Sequence, residues 1–231
     1  MVASAHWRDD ATRSKFAAII LALLWAVSLP GQDQVSLTVD ATMDIYRAGG
    51  YNDGSNGSAP VVFTFPAGGW RTMTFPSVGG AWGCQGGEAD YGADGETSGQ
   101  CLTNGGPPNF GSIGPFSGVH LTDFQGPLVG MFLADTLPAT PPAALRFYVS
   151  NKSDGGTQTD FRTLSPKLGQ VFFIGDGLTG TGTGVVQTFV VPAAATHVYL
   201  GYLDNCAPPG NTVPSCYSDV GSLGVTARLQ Y

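Results

Sequence analysis

His197-Val-Tyr-Leu-Gly-Tyr-Leu203 and, after a turn-rich stretch, Leu223-Gly-Val-Thr-Ala-Arg-Leu229 are apolar or alternating runs without a helical period. Such runs read as strands that bury one face or both. Seven more precede them, at Val35 to Thr42, Val61 to Phe65, Thr72 to Phe75, Leu128 to Leu133, Leu145 to Val149, Gln170 to Ile174 and Val185 to Val191. Val, Thr, Phe and Tyr dominate all nine, as a pleated, half-buried surface prefers. Nine short strands separated by turn residues predict an all-β fold, a single antiparallel jelly-roll β-sandwich over residues 29–231. Gly177 to Gly184, although Gly-rich, is followed by no Lys and opens no helix, so it reads as a β-turn region.

Composition agrees with this frame. The chain has 34 Gly and 16 Pro among 231 residues, only 12% charged residues and 11% aromatics. That excludes a coiled coil, a charge-driven disordered tail and a typical nucleic-acid binder. The least strand-like stretch runs from Gly79 to Phe124 and carries the acids Glu88, Asp90, Asp94 and Glu96. An excursion of that length (79–124) within a compact domain is usually functional or mobile. Its acids lack the spacing of an EF-hand loop, which favours a solvated acidic loop over a chelating one.

At the N-terminus, Arg8, Arg13 and Lys15 precede an apolar run from Phe16 to Leu29, ended by Pro30 and Gly31. A positive region, a short apolar stretch and small residues at Ala26 and Ser28 predict a secretory signal peptide over residues 1–28. The alternative is an uncleaved anchor, although the run is shorter than the roughly 20 residues of a comfortable span. The expectation is a secreted protein, extracellular or periplasmic, without a membrane span in the mature chain. Setting residues 1–28 aside removes three basic and two acidic residues and leaves seven basic and fifteen acidic ones, a formal charge of −8. An acidic exported domain repels phosphate backbones, so no nucleic acid is expected, and it attracts divalent cations.

Four cysteines follow the signal, Cys84, Cys101, Cys206 and Cys216. In an oxidising compartment they read as two disulfides, and of three connectivities the sequential one closes the shortest loops. A zinc site is the competing reading, but there is no CxxC spacing and only His120 and His197 remain.

Leu200-Gly-Tyr-Leu-Asp-Asn205, the loop holding Cys206, Pro208, Pro209, Asn211 and Cys216, and Tyr217-Ser-Asp-Val-Gly-Ser-Leu-Gly-Val225 together resemble a known pattern. It is the calcium-site strand, loop and strand of the LecA/PA-IL family of galactophilic bacterial lectins, small galactose-binding-like jelly rolls. Asp204 matches that family's first Asp, and Ser218 and Asp219 fall where its paired Asn residues stand. Val61 to Phe65, the Pro-Ala-Gly turn at 66 to 68, Trp70 through Gly80, and Gly126 to Leu133 look like its earlier strands. Gly169 to Gly175 and the C-terminal pattern are also similar to secreted bacterial proteins of the PEP-CTERM type, without their sorting tail.

The resemblance implies calcium held by Asp204, Ser218 and Asp219, with loop carbonyls from 211–215 and 80–82 completing the shell. It implies a carbohydrate partner, galactose-type glycans, with Tyr202, Asn205, Tyr217 and His120 as ligand-binding candidates. Ser218 departs from the family's Asn, and the sugar-contacting segment is replaced by the 79–124 excursion. Independently, if the two strands pair antiparallel, Asp204 and Asp219 face each other at the loop mouth, where like charges repel unless a cation bridges them. Asp also commonly caps turns through backbone N–H bonds, which is the competing role for both residues.

Enzyme signatures are thin. The chain has no G-x-S-x-G, no H-E-x-x-H and no phosphate-cradling loop, and Glu88 and Glu96 are its only Glu residues, both in one loop. A non-enzymatic, calcium-dependent carbohydrate-binding module is therefore expected, with Trp70, Trp82 and Tyr91 as further strand-end aromatics. The alternative is a structural or adhesive cell-surface sandwich without a sugar ligand. A homo-oligomer is compatible with either.

Overall fold

The structure is a computed structural model that describes residues 32–84, 89–97, 109–149, 156–203 and 219–231. Fifteen strands are present among them, and all nine expected runs form strands. The long ones are β1 (Gln32–Asp40), β3 (Thr72–Gly83) and β15 (Val220–Gln230). With β13 (Thr188–Val190) and the short β9 (Thr163–Leu164) they make one sheet in the order β1-β15-β3-β13-β9. A second sheet has the order β10-β6-β14-β2, from β2 (Val61–Thr64), β6 (Leu128–Leu133), β10 (Val171–Phe173) and β14 (His197–Tyr202).

The two sheets pack as a β-sandwich through aromatic side chains. Phe172 meets Phe189 with ring centroids 5.2 Å apart, and Trp82 meets Tyr202 at 5.5 Å. Every residue of β6 is buried, as a central strand covered on both faces requires. Its run of six residues from Leu128 to Leu133 shows no alternation for that reason.

Three expectations need correction. The 79–124 excursion is not structureless, because β3 runs on to Gly83, and β4 (Asn109–Phe110) and β5 (Val119–Thr122) form within it. The extension is glycine-rich on both partners, with Gly79 opposite Gly224, so side-chain pattern does not mark it. The fold is also not purely antiparallel. β4, β5, β7 (Leu145–Tyr148) and β8 (Thr157–Gln158) form a third sheet in which β5–β7 and β7–β8 are parallel, and β13–β9 is parallel too. Finally, the run from Val185 to Val191 is broken at Gln187. β11 (Leu178–Gly180) and β12 (Thr183–Val186) make a separate hairpin, while β13 joins the first sheet. The buried Gln187 amide donates to the carbonyls of Thr159 and Phe161, which fixes the break.

Candidate functional site

The strands that flank the 204–218 segment do not pair with each other. β14 bonds to β6 and β2, whereas β15 bonds to β1 and β3, so the chain crosses there from one sheet to the other. The expected antiparallel hairpin is therefore an inter-sheet crossover. Its two ends still meet, because Trp82 at the end of β3 packs on Tyr202 at the end of β14. Trp82 is 2% exposed; its indole N–H donates to the Gly92 carbonyl, and its backbone exchanges two hydrogen bonds with Tyr91. Gly126 lies directly against this indole with φ +63°, a place where a Cβ would strike the ring and strain the backbone.

Asp219 sits at this junction, just before β15, and is 6% exposed. Burial first, and then the charges of Asp40 and Asp219, push the Tyr202 hydroxyl well above its ordinary pKa. Tyr202 itself is 1% exposed, so its ring belongs to the core and is not a platform offered to a sugar. That corrects its expected ligand-binding role, because an aromatic at the last position of a central strand faces the opposite sheet.

A second acidic feature escaped the sequence reading. Asp44 caps the short 3-10 turn Ile45–Gly50 by accepting the Tyr46 N–H, and its other oxygen accepts the Ser55 hydroxyl. Asp53 faces it and accepts the Ser55 N–H. Both carboxyls are buried, and Arg47, the nearest cation in sequence, spends its guanidinium on the Gly57 carbonyl. Burial pushes the Asp44 carboxyl up to about 7; the Tyr46 N–H bond opposes the rise and the neighbouring Asp53 adds to it. Asp44 also forms a bridge to Tyr202, which places the pair at the same end of the sandwich. The legible trace of this feature was Asn52-Asp53-Gly54-Ser55-Asn56-Gly57-Ser58, a turn-forming run beside a strand end.

Glu96 completes the picture. It is 2% exposed and bridges Gln125 through the backbone, and neither carboxylate oxygen has a hydrogen-bond partner among the described residues. Along the flank, Asp94 accepts the Asp176 N–H, and burial with the nearby Asp94 raises the Asp176 pKa. Of the four buried acids among the described residues, Asp44 and Asp219 lie beside Tyr202 at the crossover end and Asp53 faces Asp44, whereas Glu96 lies on the loop bonded to Gln125. Asp44, Asp53 and Glu96 form no ion pair among the described residues.

The other expected positions are distributed as follows. His120 lies in β5 of the third sheet, opposite Asn109 and Arg146, where burial and the Arg146 charge lower its pKa. Cys84 directly follows β3 and is disulfide-bonded. Asp204, Asn205, Tyr217, Ser218, Cys101, Cys206 and Cys216 lie outside the described residues. Among those described, no group of three or more His, Cys, Asp or Glu side chains is placed to hold a metal ion, and no helix is long and apolar enough to cross a membrane.

Fold and site together define a multi-sheet β-sandwich with buried carboxyls near the end of β14. Comparison with protein-family models, with curated proteins and with solved structures finds no match to this chain.

Proposed function

We propose that this chain is a non-catalytic, calcium-dependent carbohydrate-binding module of an exported protein. One observation carries the reading: Asp44, Asp53 and Asp219 are buried about Tyr202 at the crossover end, and Asp44 and Asp53 form no ion pair among the described residues. Hard oxygen donors without ammonium or guanidinium partners suit calcium, which takes six to eight oxygens. The Asp44–Asp53 contact fits a cation-attracting end.

In this reading Asp219 holds the ion with Asp204 and Ser218 across the crossover, and a Cys206–Cys216 bridge would staple the intervening loop. Calcium there would supply a Lewis-acidic centre that accepts adjacent sugar hydroxyls. The protein's task is to fix the carboxylates on two rigid sheets and to leave one side open. Burial of Tyr202 and Asp219 favours a second reading, in which protein oxygens close the ion off and it only clamps the two sheets.

Glycan-array binding with calcium and with EDTA separates these readings. Calcium-dependent retention of a galactose-type glycan supports the module. A calcium-raised melting temperature with no glycan retained supports the clamp. Absence of both responses removes the proposal.

A further inference from the structure

Far from the acidic crossover, the start of β3 carries a different surface. Thr72 and Gly83 bound β3, so at about 3.3 Å per residue its two ends lie roughly 35 Å apart. Beside its first residue, Trp70 stacks on Tyr231 with ring centroids 4.2 Å apart and an interplanar angle of 24°. The indole N–H is used internally, donating to the Pro66 carbonyl at 2.6 Å, so the edge is fixed and the ring offers only its face. Tyr231 is held over Gly68, where a Cβ would come within 2.6 Å of its hydroxyl.

Trp70 and Arg71 line an open cavity of about 330 Å3 with Val190, Pro192, Ala193 and Ala195, and Tyr231 is not part of its lining. That volume is at the small end of the range of about 300–1,000 Å3 for ligand pockets, enough for a single ring. The Arg71 backbone is pinned on both sides, its N–H donating to Gln230 and its carbonyl accepting from Val191. Its side chain is exposed and makes no ion pair or hydrogen bond among the described residues. In a chain with 17 acids and 10 basic residues, this is a guanidinium beside an aromatic ring and an apolar shelf, with no carboxylate in the lining.

We propose that this groove binds a carboxylated pyranose, a uronic acid residue of a glycan, with its C–H face on Trp70 and its carboxylate on Arg71. The planar guanidinium matches a carboxylate bidentately, which an ammonium would not. Apolar ring faces of sugars pack on aromatic side chains as other C–H surfaces do, while the shelf from Val190 to Ala195 excludes water from the contact. The site is separate from the crossover and needs no metal. It does not rest on the calcium reading.

The experiment is calorimetric titration of the full chain, in EDTA, with galacturonic acid and glucuronic acid oligosaccharides, and with galactose and glucose oligosaccharides as neutral probes. The acidic probes are expected to bind and the neutral ones to bind at least tenfold more weakly. Arg71→Gln removes the distinction between acid and neutral, and Trp70→Ala lowers affinity for the acid at least tenfold. Gly69→Leu is a second plug, because Gly69 lines the groove and a Cβ there meets nothing within 4 Å beyond its chain neighbours, so it fills the groove while Trp70 and Arg71 are kept. Circular dichroism on each variant establishes that it is folded. Absence of acidic-probe binding, equal affinity for neutral probes, or unchanged affinity in folded Arg71→Gln and Gly69→Leu overturns the proposal.

Discussion

The two ends of β3 differ in how they use polar groups. At the Gly83 end the polar groups are inside: Asp44, Asp53 and Asp219 are buried near Tyr202, which packs on Trp82. At the Thr72 end they are outside, where Arg71 is exposed and Trp70 and Tyr231 stack at the surface. A buried carboxyl without a cation is costly, since desolvation disfavours the charged form. An exposed guanidinium on an aromatic shelf costs little. Desolvated carboxyls are therefore concentrated at one end, and exposed polar and aromatic groups at the other.

The largest expected contrast is mechanical. Trp82→Ala removes a ring that is 2% exposed and joins both sheets, and it should destabilise the fold by about 3–5 kcal/mol, the usual range for buried Trp or Phe truncation. Trp70→Ala, at the other end, should cost only about 0.5–1.5 kcal/mol, the worth of an aromatic pair. Urea unfolding of both variants measures the pair; similar losses would erase the distinction.

A pH effect comes next. The folded Asp44 carboxyl is raised from 3.8 to about 7, so the native state holds a proton that the unfolded chain releases. This group's stability contribution is complete below pH 4 and declines as pH rises towards 7, by up to about 1.4 kcal/mol per pH unit. Stability measured from pH 4 to 8 should fall over that window, and Asp44→Asn should flatten the fall. A wild-type profile that does not change on substitution would place the burden elsewhere.

The smallest effect is a control on the strand ends. Gly224→Ala in β15 meets only the Gly79 carbonyl at 3.8 Å and should shift stability by less than about 0.5 kcal/mol. Gly126→Ala should cost more than that, because the new methyl strikes the Trp82 indole at a positive φ. Equal melting temperatures for these two variants would mean that the crossover end is looser than its packing indicates.

Much of the frame was legible in the sequence. Runs such as Leu128 to Leu133 and His197 to Leu203 carry β-forming residues in lengths that only strands bury. The extension of β3 was hidden because Gly79 and Gly80 pair with Gly224 and Leu223, and backbone hydrogen bonds leave no side-chain signature there. Val119 to Thr122 was hidden by its length, although its alternating burial is that of an ordinary strand. Which sheet each strand joins was not readable, since β14 and β15 are neighbours in sequence but take partners far away in it. The same limit concealed Asp44 and Asp53, whose contact depends on the loop between them folding back through Ser55.

If the crossover end holds a cation between the sheets, as proposed, melting temperature followed through a calcium titration reports it directly, on the wild type and on a variant carrying Asp204→Asn with Asp219→Asn. Calcium at a hundred times its dissociation constant should stabilise the wild type by about 2.7 kcal/mol, raising its melting temperature by several degrees and leaving the variant unmoved. An unresponsive wild type, or an equal rise in the variant, would contradict the account.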